Sequence, residues 1–336
     1  MLRAAWQNTP MSESKSKQWA FPDSLQPKAD EVAFDLPRAL DAVVLLRAEV
    51  PDDAFTAATL GTERAGYGVV IREDGLTLTI GYLITEAETI WLTTNRGVVV
   101  QGTVLGYDQA TGFGLVQPLG SLGVRALARG SSAEVQEGDD VYVIGHGGRE
   151  HALNTSVTAR REFAGYWEYL LEDAIFTSPA HPQWGGAALL DDAGQLVGIG
   201  SLLIQEGEKG ETKQVNMFVP IDLLEPILAS MLATGRAGAP ARPWLGMYAQ
   251  EDEGKLIIAG LADGGPAERA GVKIGDLVLG VADARTTGLS AFLRRVWALG
   301  TAGVEVPLQL ARQGDVLRVR VQSGDRNDHF RKPRLH

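Results

Sequence analysis

AGYGVVIREDGLTLTIGYLI, residues 65–84, decides the class of fold. Residues 67–71 form an apolar run of strand length, and Asp74-Gly75 behind it is turn chemistry. Runs of the same length recur at 42–46, 89–94, 98–105, 141–144 and 196–203, each bounded by turn residues. Regular short strands joined by turns are what a β-barrel or sandwich needs, because each strand must double back to pair with the last. The 40 glycines and 15 prolines supply the turns. The chain is therefore expected to be mainly β.

A length of 336 residues suits a domain of ~200 residues followed by one of ~100. Residues 220–235 break the strand pattern. Ile221, Leu224, Ile227, Leu228, Met231 and Leu232 fall at three- and four-residue spacing and Gly235 stands where a helix would cap. GRAGAPARP, residues 235–243, then reads as a linker, its core at 237–243. Beyond it, residues 266–270 and 289–299 suit a short and a longer helix, and the stretches 304–310 and 316–321 alternate like a hairpin around Arg312-Gln313-Gly314-Asp315. The expected organisation is an extension at 1–36, one domain at 37–236, a second at 244–323 and a tail at 324–336. The extension and the tail are polar enough to be expected flexible and disordered.

The net charge of −11 disfavours nucleic acid and anionic lipid as partners, since both need a basic surface. With no cysteine, disulfides, thiolate metal sites and a cysteine nucleophile are excluded. MLRAAWQNTPMSESKSKQWAFPDSLQPK, residues 1–28, carries no secretory pattern, and no segment approaches the ~20 apolar residues of a membrane span. A cytoplasmic protein is expected from these residues, or a periplasmic one if an export signal precedes them.

Several motifs in order resemble the HtrA/Deg family of trypsin-like serine proteases. AGYGVVIREDGLTLTIGYLI resembles the strand, turn and strand that lead to the family's catalytic histidine. GYDQATGFGLVQ (106–117) resembles the segment of the catalytic aspartate, GDDVYVIGHGG (138–148) the strand and loop after it, and SPAHPQWGGAALLDDAGQLVGIGS (178–201) the nucleophile loop. NMFVPIDLLEPIL (216–228) is similar to the closing strand and helix. The resemblance implies a trypsin-like double β-barrel, and it assigns Tyr82 to the histidine position, Gly112 to the aspartate position and Gly185 to the serine position. A triad needs a hydroxyl, an imidazole to take its proton and a carboxylate to orient the imidazole. Gly185 has no side chain, Gly112 orients nothing, and tyrosine with a pKa near ~10 is a poor base. Gln183 and bulky Trp184 also replace the small residues expected around an oxyanion hole.

The resemblance thus implies a pseudoprotease with neither cofactor nor metal. Ser178, Thr177 and Ser201 are the candidate replacement nucleophiles, which would make the chain an active endopeptidase of unusual chemistry; local hydrogen bonding is the plainer reading of each. A third reading is a regulatory subunit of an active paralogue. His146, His151 and His181 belong to loops around the cleft of the related fold, but metal sites want three or four ligands at diagnostic spacing. The aromatic group Phe163, Tyr166, Trp167 and Tyr169 covers the end of a barrel or offers a contact surface. Relatives trimerise through an aromatic-bearing N-terminal segment, a part that Trp19 and Phe21 would take.

The C-terminal third resembles a bacterial PDZ domain. Its motifs are RPWLGMYAQ (242–250), ADGGPAERAGVKIGDLVLGVADA (262–284), LSAFLRRVWAL (289–299) and VPLQLARQGDVLRVRVQ (306–322). By that resemblance Trp244, Leu245, Gly246 and Met247 form a carboxylate-binding turn, the next strand offers its edge, and the helix from Leu289 walls the groove. Phe292 and Val296, or Leu293 and Trp297 one step round, are the pocket candidates, with core packing as the alternative for each. Such a groove binds C-terminal or extended peptides of partner proteins.

Overall fold

The computed structural model describes residues 19–207, 212–252 and 254–331. These divide into two compact units, one of residues 19–161, 173–238 and Arg331, the other of 162–172 and 239–330. In the first unit β1 (Val43–Glu49), β2 (Glu63–Val70), β3 (Thr77–Ile80), β4 (Thr89–Thr93), β5 (Val99–Tyr107) and β6 (Phe113–Pro118) close into a barrel in the order β1-β2-β3-β6-β5-β4. Residues 65–84 make the β2–β3 hairpin, with Val69 opposite Leu78. Gly75 sits at φ +88°, where the turn needs a residue without a Cβ. Along β1, buried Val44, Leu46 and Ala48 alternate with outward residues, as one face inside a barrel requires.

A second barrel holds β7 (Asp140–Ile144), β8 (Ala152–Gly165), β9 (Tyr169–Ser178), β10 (Ala188–Leu190), β11 (Leu196–Glu206) and β12 (Lys213–Pro220), in the order β10-β11-β12-β9-β8-β7. The long β8 and β9 have no counterpart among the apolar runs of the sequence. Buried Leu153, Thr155 and Val157 on β8 alternate with Asn154, Ser156 and Thr158, so no continuous apolar run forms. The helix expected at 220–235 is a 3-10 turn followed by an α-helix, Glu225–Thr234. Gly235 ends it at φ +74° with its N–H on the Met231 carbonyl, a left-handed cap.

Two expectations about the ends are corrected. Residues 19–36 are packed rather than free: the Phe21 N–H donates to Glu150 O at 3.0 Å and Arg149 pairs with Asp23 at 2.9 Å. Phe34 lies over Gly194, whose hypothetical Cβ would meet the ring at 2.3 Å. Asp35 caps the helix at Leu36–Asp41 through the Arg38 N–H. Residues 324–331 are likewise ordered. Gly324 bridges to Trp244, residues Arg326–His329 form a 3-10 turn, and Arg331 pairs with Asp53 at 2.7 Å and Glu88 at 3.1 Å. These contacts join residues distant in sequence, which local polarity cannot forecast. The remainder of the expected extension and tail, 1–18 and 332–336, lies outside the described residues.

The second unit contains β13 (Met247–Asp252), β14 (Lys255–Leu261), β15 (Leu277–Val281), β16 (Ala284–Arg285), β17 (Glu305–Arg312) and β18 (Asp315–Gln322). The sheet runs β13-β14-β15-β17-β18, with β16 on β15, so β13 is an edge strand. Two helices, at Pro266–Arg269 and at Leu289–Trp297, stand where the pattern put them. Gln313 at φ 51° and Gly314 at φ 95° form the tight β17–β18 turn. Asp276, 1% exposed on its side chain, takes two hydrogen bonds from Arg312 at 2.7 and 2.8 Å, which keeps a buried carboxylate paired. The expected linker is shorter than 237–243, because Ala241 accepts from the Ala302 N–H and Arg242 stacks on Trp297.

Candidate functional site

The structure brings Tyr82, Gly112 and Gly185 to one place. Tyr82 follows β3 on the turn Gly81–Leu83, and the Gly81 N–H donates to Gly112 O at 2.6 Å. Gly185 lies between β9 and β10, and a Cβ built on it would stand 2.8 Å from the Tyr82 hydroxyl. That hydroxyl donates to Ser201 O at 3.0 Å and hydrogen-bonds the Trp184 side chain. Burial pushes its pKa above the ordinary tyrosine range, so it stays protonated at neutral pH. Gly112 has φ +84° and its N–H bonds Asp108 O. The Asp108 carboxylate is occupied locally, by the Thr111 N–H at 2.8 Å and the Thr111 hydroxyl at 2.7 Å.

The turn at 183–187 satisfies much of its own backbone. Gln183 N–H donates to His181 Nδ1 at 3.1 Å, Gly186 N–H to Gly200 O at 2.8 Å, and Ala187 N–H to Trp184 O at 3.1 Å. Gly185 O accepts from the Tyr67 N–H at 2.8 Å, while the Gln183 side chain bonds the Tyr67 hydroxyl. Only glycine fits at 186, since at φ +77° a Cβ would stand 1.9 Å from Tyr67 O.

His181 is fully buried, and its two ring nitrogens are both engaged. Nδ1 accepts from Gln183, so Nε2 carries the proton and faces His151 O at 3.0 Å. Burial pushes its pKa down to about 4, which keeps the ring neutral. The His181 N–H and carbonyl are held by the Asn216 side chain at 2.6 and 3.0 Å. Trp19 packs edge-on against His151 and His181, with ring centroids 4.5 and 5.4 Å away, and Phe21 against His181 at 5.1 Å. Among the described residues no group of three potential ligands gathers into a metal site. Thr177 is buried at the end of β9, next to Ser178, and Ser201 is buried on β11.

In the second unit, residues 244–247 form a turn with Gly246 at φ +70°. Trp244 is buried, its ring 4.4 Å from that of His329. The N–H groups of Leu245, Gly246 and Met247 converge on one carboxylate, that of Glu168. The distances are 3.0 and 3.2 Å from Leu245, 2.7 Å from Gly246 and 3.2 Å from Met247. Phe292, Leu293 and Val296 are about 1% exposed and share a buried cluster with Leu245, Met247 and Leu170; Trp297 packs only on its rim. Burial of these three positions suits core packing and a pocket wall alike.

Glu168 is the site residue that the motifs do not reveal. It sits at φ +62° on the three-residue tip that joins β8 to β9, and it is 8% exposed. Burial pushes its pKa up to about 7, opposed by the three N–H groups and the charge of Arg326. The aromatic group around it packs against side chains of the second unit. Tyr166 packs on Tyr248 at 6.1 Å, Trp167 stacks on Tyr169 at 5.6 Å, and Arg326 donates to Trp167 O at 3.0 Å. A lone glutamate among aromatics has no local signature.

Comparison with known proteins agrees with this architecture. A trypsin-like peptidase domain model matches residues 66–199 and a PDZ domain model residues 243–322. The chain is 24% identical over 276 residues to the serine endoprotease DegS of Haemophilus influenzae, covering 78% of this chain and 77% of that protein. It is 27% identical over 279 residues to a probable periplasmic serine endoprotease, DegP-like, of Halomonas elongata, covering 77% of this chain and 56% of that one. The chain thus spans little more than half of that second relative. The solved HtrA-type protease AlgW with tripeptide shares the fold at TM-score 0.50 and 21% identity, over 89% of this chain and 97% of that one. The serine endoprotease from Yersinia pestis does so at TM-score 0.50 and 20% identity, over 86% and 96%. A trypsin-like peptidase domain followed by a PDZ domain is thus what this chain shares with these HtrA-type relatives.

Proposed function

We propose that this HtrA-like chain does not cleave peptides and acts as a peptide-binding adaptor or scaffold through its PDZ domain. One observation carries the first half: the point where a side chain at 185 would begin lies against the Tyr82 hydroxyl, 2.8 Å away, and residue 185 is glycine. No nucleophile stands there, and the group beside it is a protonated phenol bound to Ser201 O. The remaining scaffold gives little, because a serine protease stripped of its triad keeps only roughly 10³–10⁴-fold over water. That remnant depends on an oxyanion hole, and here the Gln183 N–H is already bonded to His181. His181 in turn has no free ring nitrogen with which to activate Ser178, Thr177 or Ser201.

Support for the second half is the turn at 244–247, which gathers backbone N–H groups around a carboxylate beside the edge strand β13. The solved AlgW relative is described with a tripeptide, which fits the same use. Casein turnover tests the reading. The chain is expected to be inert beside an active trypsin-like protease; cleavage that a serine-directed inhibitor blocks would overturn it.

A further inference from the structure

The peptide-binding reading meets an obstacle in the second unit itself, because its carboxylate turn is full. Three successive N–H groups, of Leu245, Gly246 and Met247, all point at the Glu168 carboxylate. Such a set of donors is what a terminal carboxylate would use, and two carboxylates cannot share it. Glu168 is not there by accident of a loose loop. Its tip is fastened on both sides: Arg294 pairs with Glu162 and lies 3.7 Å from Glu172, Arg326 holds Trp167 O, and Leu170 is buried with Phe292, Val296, Leu245 and Met247. The segment thus supplies both things a bound peptide brings to such a groove, a carboxylate for the turn and an aliphatic side chain for the apolar cluster.

We propose that the carboxylate turn is occupied in cis: Glu168 is the chain's own ligand, Leu170 its apolar companion, and a peptide carboxylate binds only by displacing them. This rests on the peptide-binding reading for its consequence but not for the occupancy itself, so the two are separable by experiment. The positive φ of Glu168 fits this view, because a non-glycine residue in that conformation persists only where its surroundings hold it. A ligand for the emptied turn would be a free carboxylate preceded by an aliphatic side chain.

The test uses the full chain, its Glu168→Ala variant, and a fluorescein-labelled pentapeptide ending in leucine, as free acid and as amide. Amide exchange at residues 245–247 should be slow in the unaltered chain and at least ten-fold faster in the variant. The Ala262 and Ala267 amides, which bond Gly246 O and Leu245 O at 2.8 Å, should stay protected and show that the turn persists. The variant should bind the free acid at least ten-fold more tightly than the unaltered chain and should ignore the amide. Unchanged exchange at 245–247 overturns the proposal. So does equal peptide affinity of the two proteins, in which case peptide binding stands and occupancy in cis fails. If exchange speeds up and neither protein binds the peptide, occupancy stands and peptide binding fails. A second measurement needs no variant: carbodiimide coupling of glycinamide should label exposed Glu172 and spare Glu168, and equal labelling of the two overturns the proposal.

Discussion

Two turns in this chain, 183–187 and 244–247, crowd backbone N–H groups together, and they satisfy them in different ways. At 183–187 the donors of Gln183, Gly186 and Ala187 are answered by His181, Gly200 O and Trp184 O, all within the same barrel. At 244–247 the donors of three consecutive residues remain aimed at one point, and a side chain from a distant hairpin tip fills it. The first turn is closed by two carbonyls and the His181 ring of its own barrel, whereas the second keeps the form of a receptor and is stoppered. On the proposed reading, loss of a reacting side chain and retention of a binding turn are independent events, because backbone donors do not depend on which side chains accompany them.

The difference can be broken most severely at glycine. Gly186→Ala puts a Cβ 1.9 Å from Tyr67 O on a backbone at φ +77°, and should cost on the order of 3–5 kcal/mol in urea unfolding. Gly246→Ala meets nothing nearer than 3.1 Å, so only its φ +70° strain remains, about 1–2 kcal/mol. Equal costs at the two positions would mean that the first turn is as open as the second.

A smaller effect probes the vacancy at 185. Gly185→Ser places its Cβ 2.8 Å from the Tyr82 hydroxyl and should cost about 1–2 kcal/mol, most of it recovered when Tyr82→Phe is added. Additive costs in the double variant would show that the two side chains do not meet.

The smallest effect is a pH dependence at the second turn. Glu168 titrates near 7 in the folded chain against 4.5 in water, so docking favours its protonated form. That contribution is complete below about 4.5 and is lost as pH rises through about 7. The groups facing Glu168 are Arg326, which opposes the shift, and Tyr248, which is neutral in this range. The Gly246 amide, corrected for intrinsic base catalysis, should open more readily at pH 8 than at pH 5; the opposite order would contradict the burial argument.

Much of this was legible in the chain. The hairpin at 65–84, the Gly235 cap and the Gln313-Gly314 turn are local, set by residue chemistry within a few positions. Tyr82, Gly112 and Gly185 were grouped by the resemblance to a family, and the structure has them near one another. What escaped is non-local. Residues 19–36 look too polar to pack, yet Phe21, Asp23 and Phe34 are held by Glu150, Arg149 and Gly194, more than a hundred positions away. Glu168 and Leu245 lie 77 residues apart, and nothing in either neighbourhood announces the other.

Loss of the nucleophile is tested most directly by covalent labelling of the whole chain with a fluorophosphonate, which reacts with activated hydroxyl nucleophiles, followed by mass spectrometry of the peptides. No adduct is expected under conditions that label an active trypsin-like protease completely. An adduct on Ser178, Thr177 or Ser201 would reveal a working nucleophile beside the vacant position and contradict the non-cleaving reading.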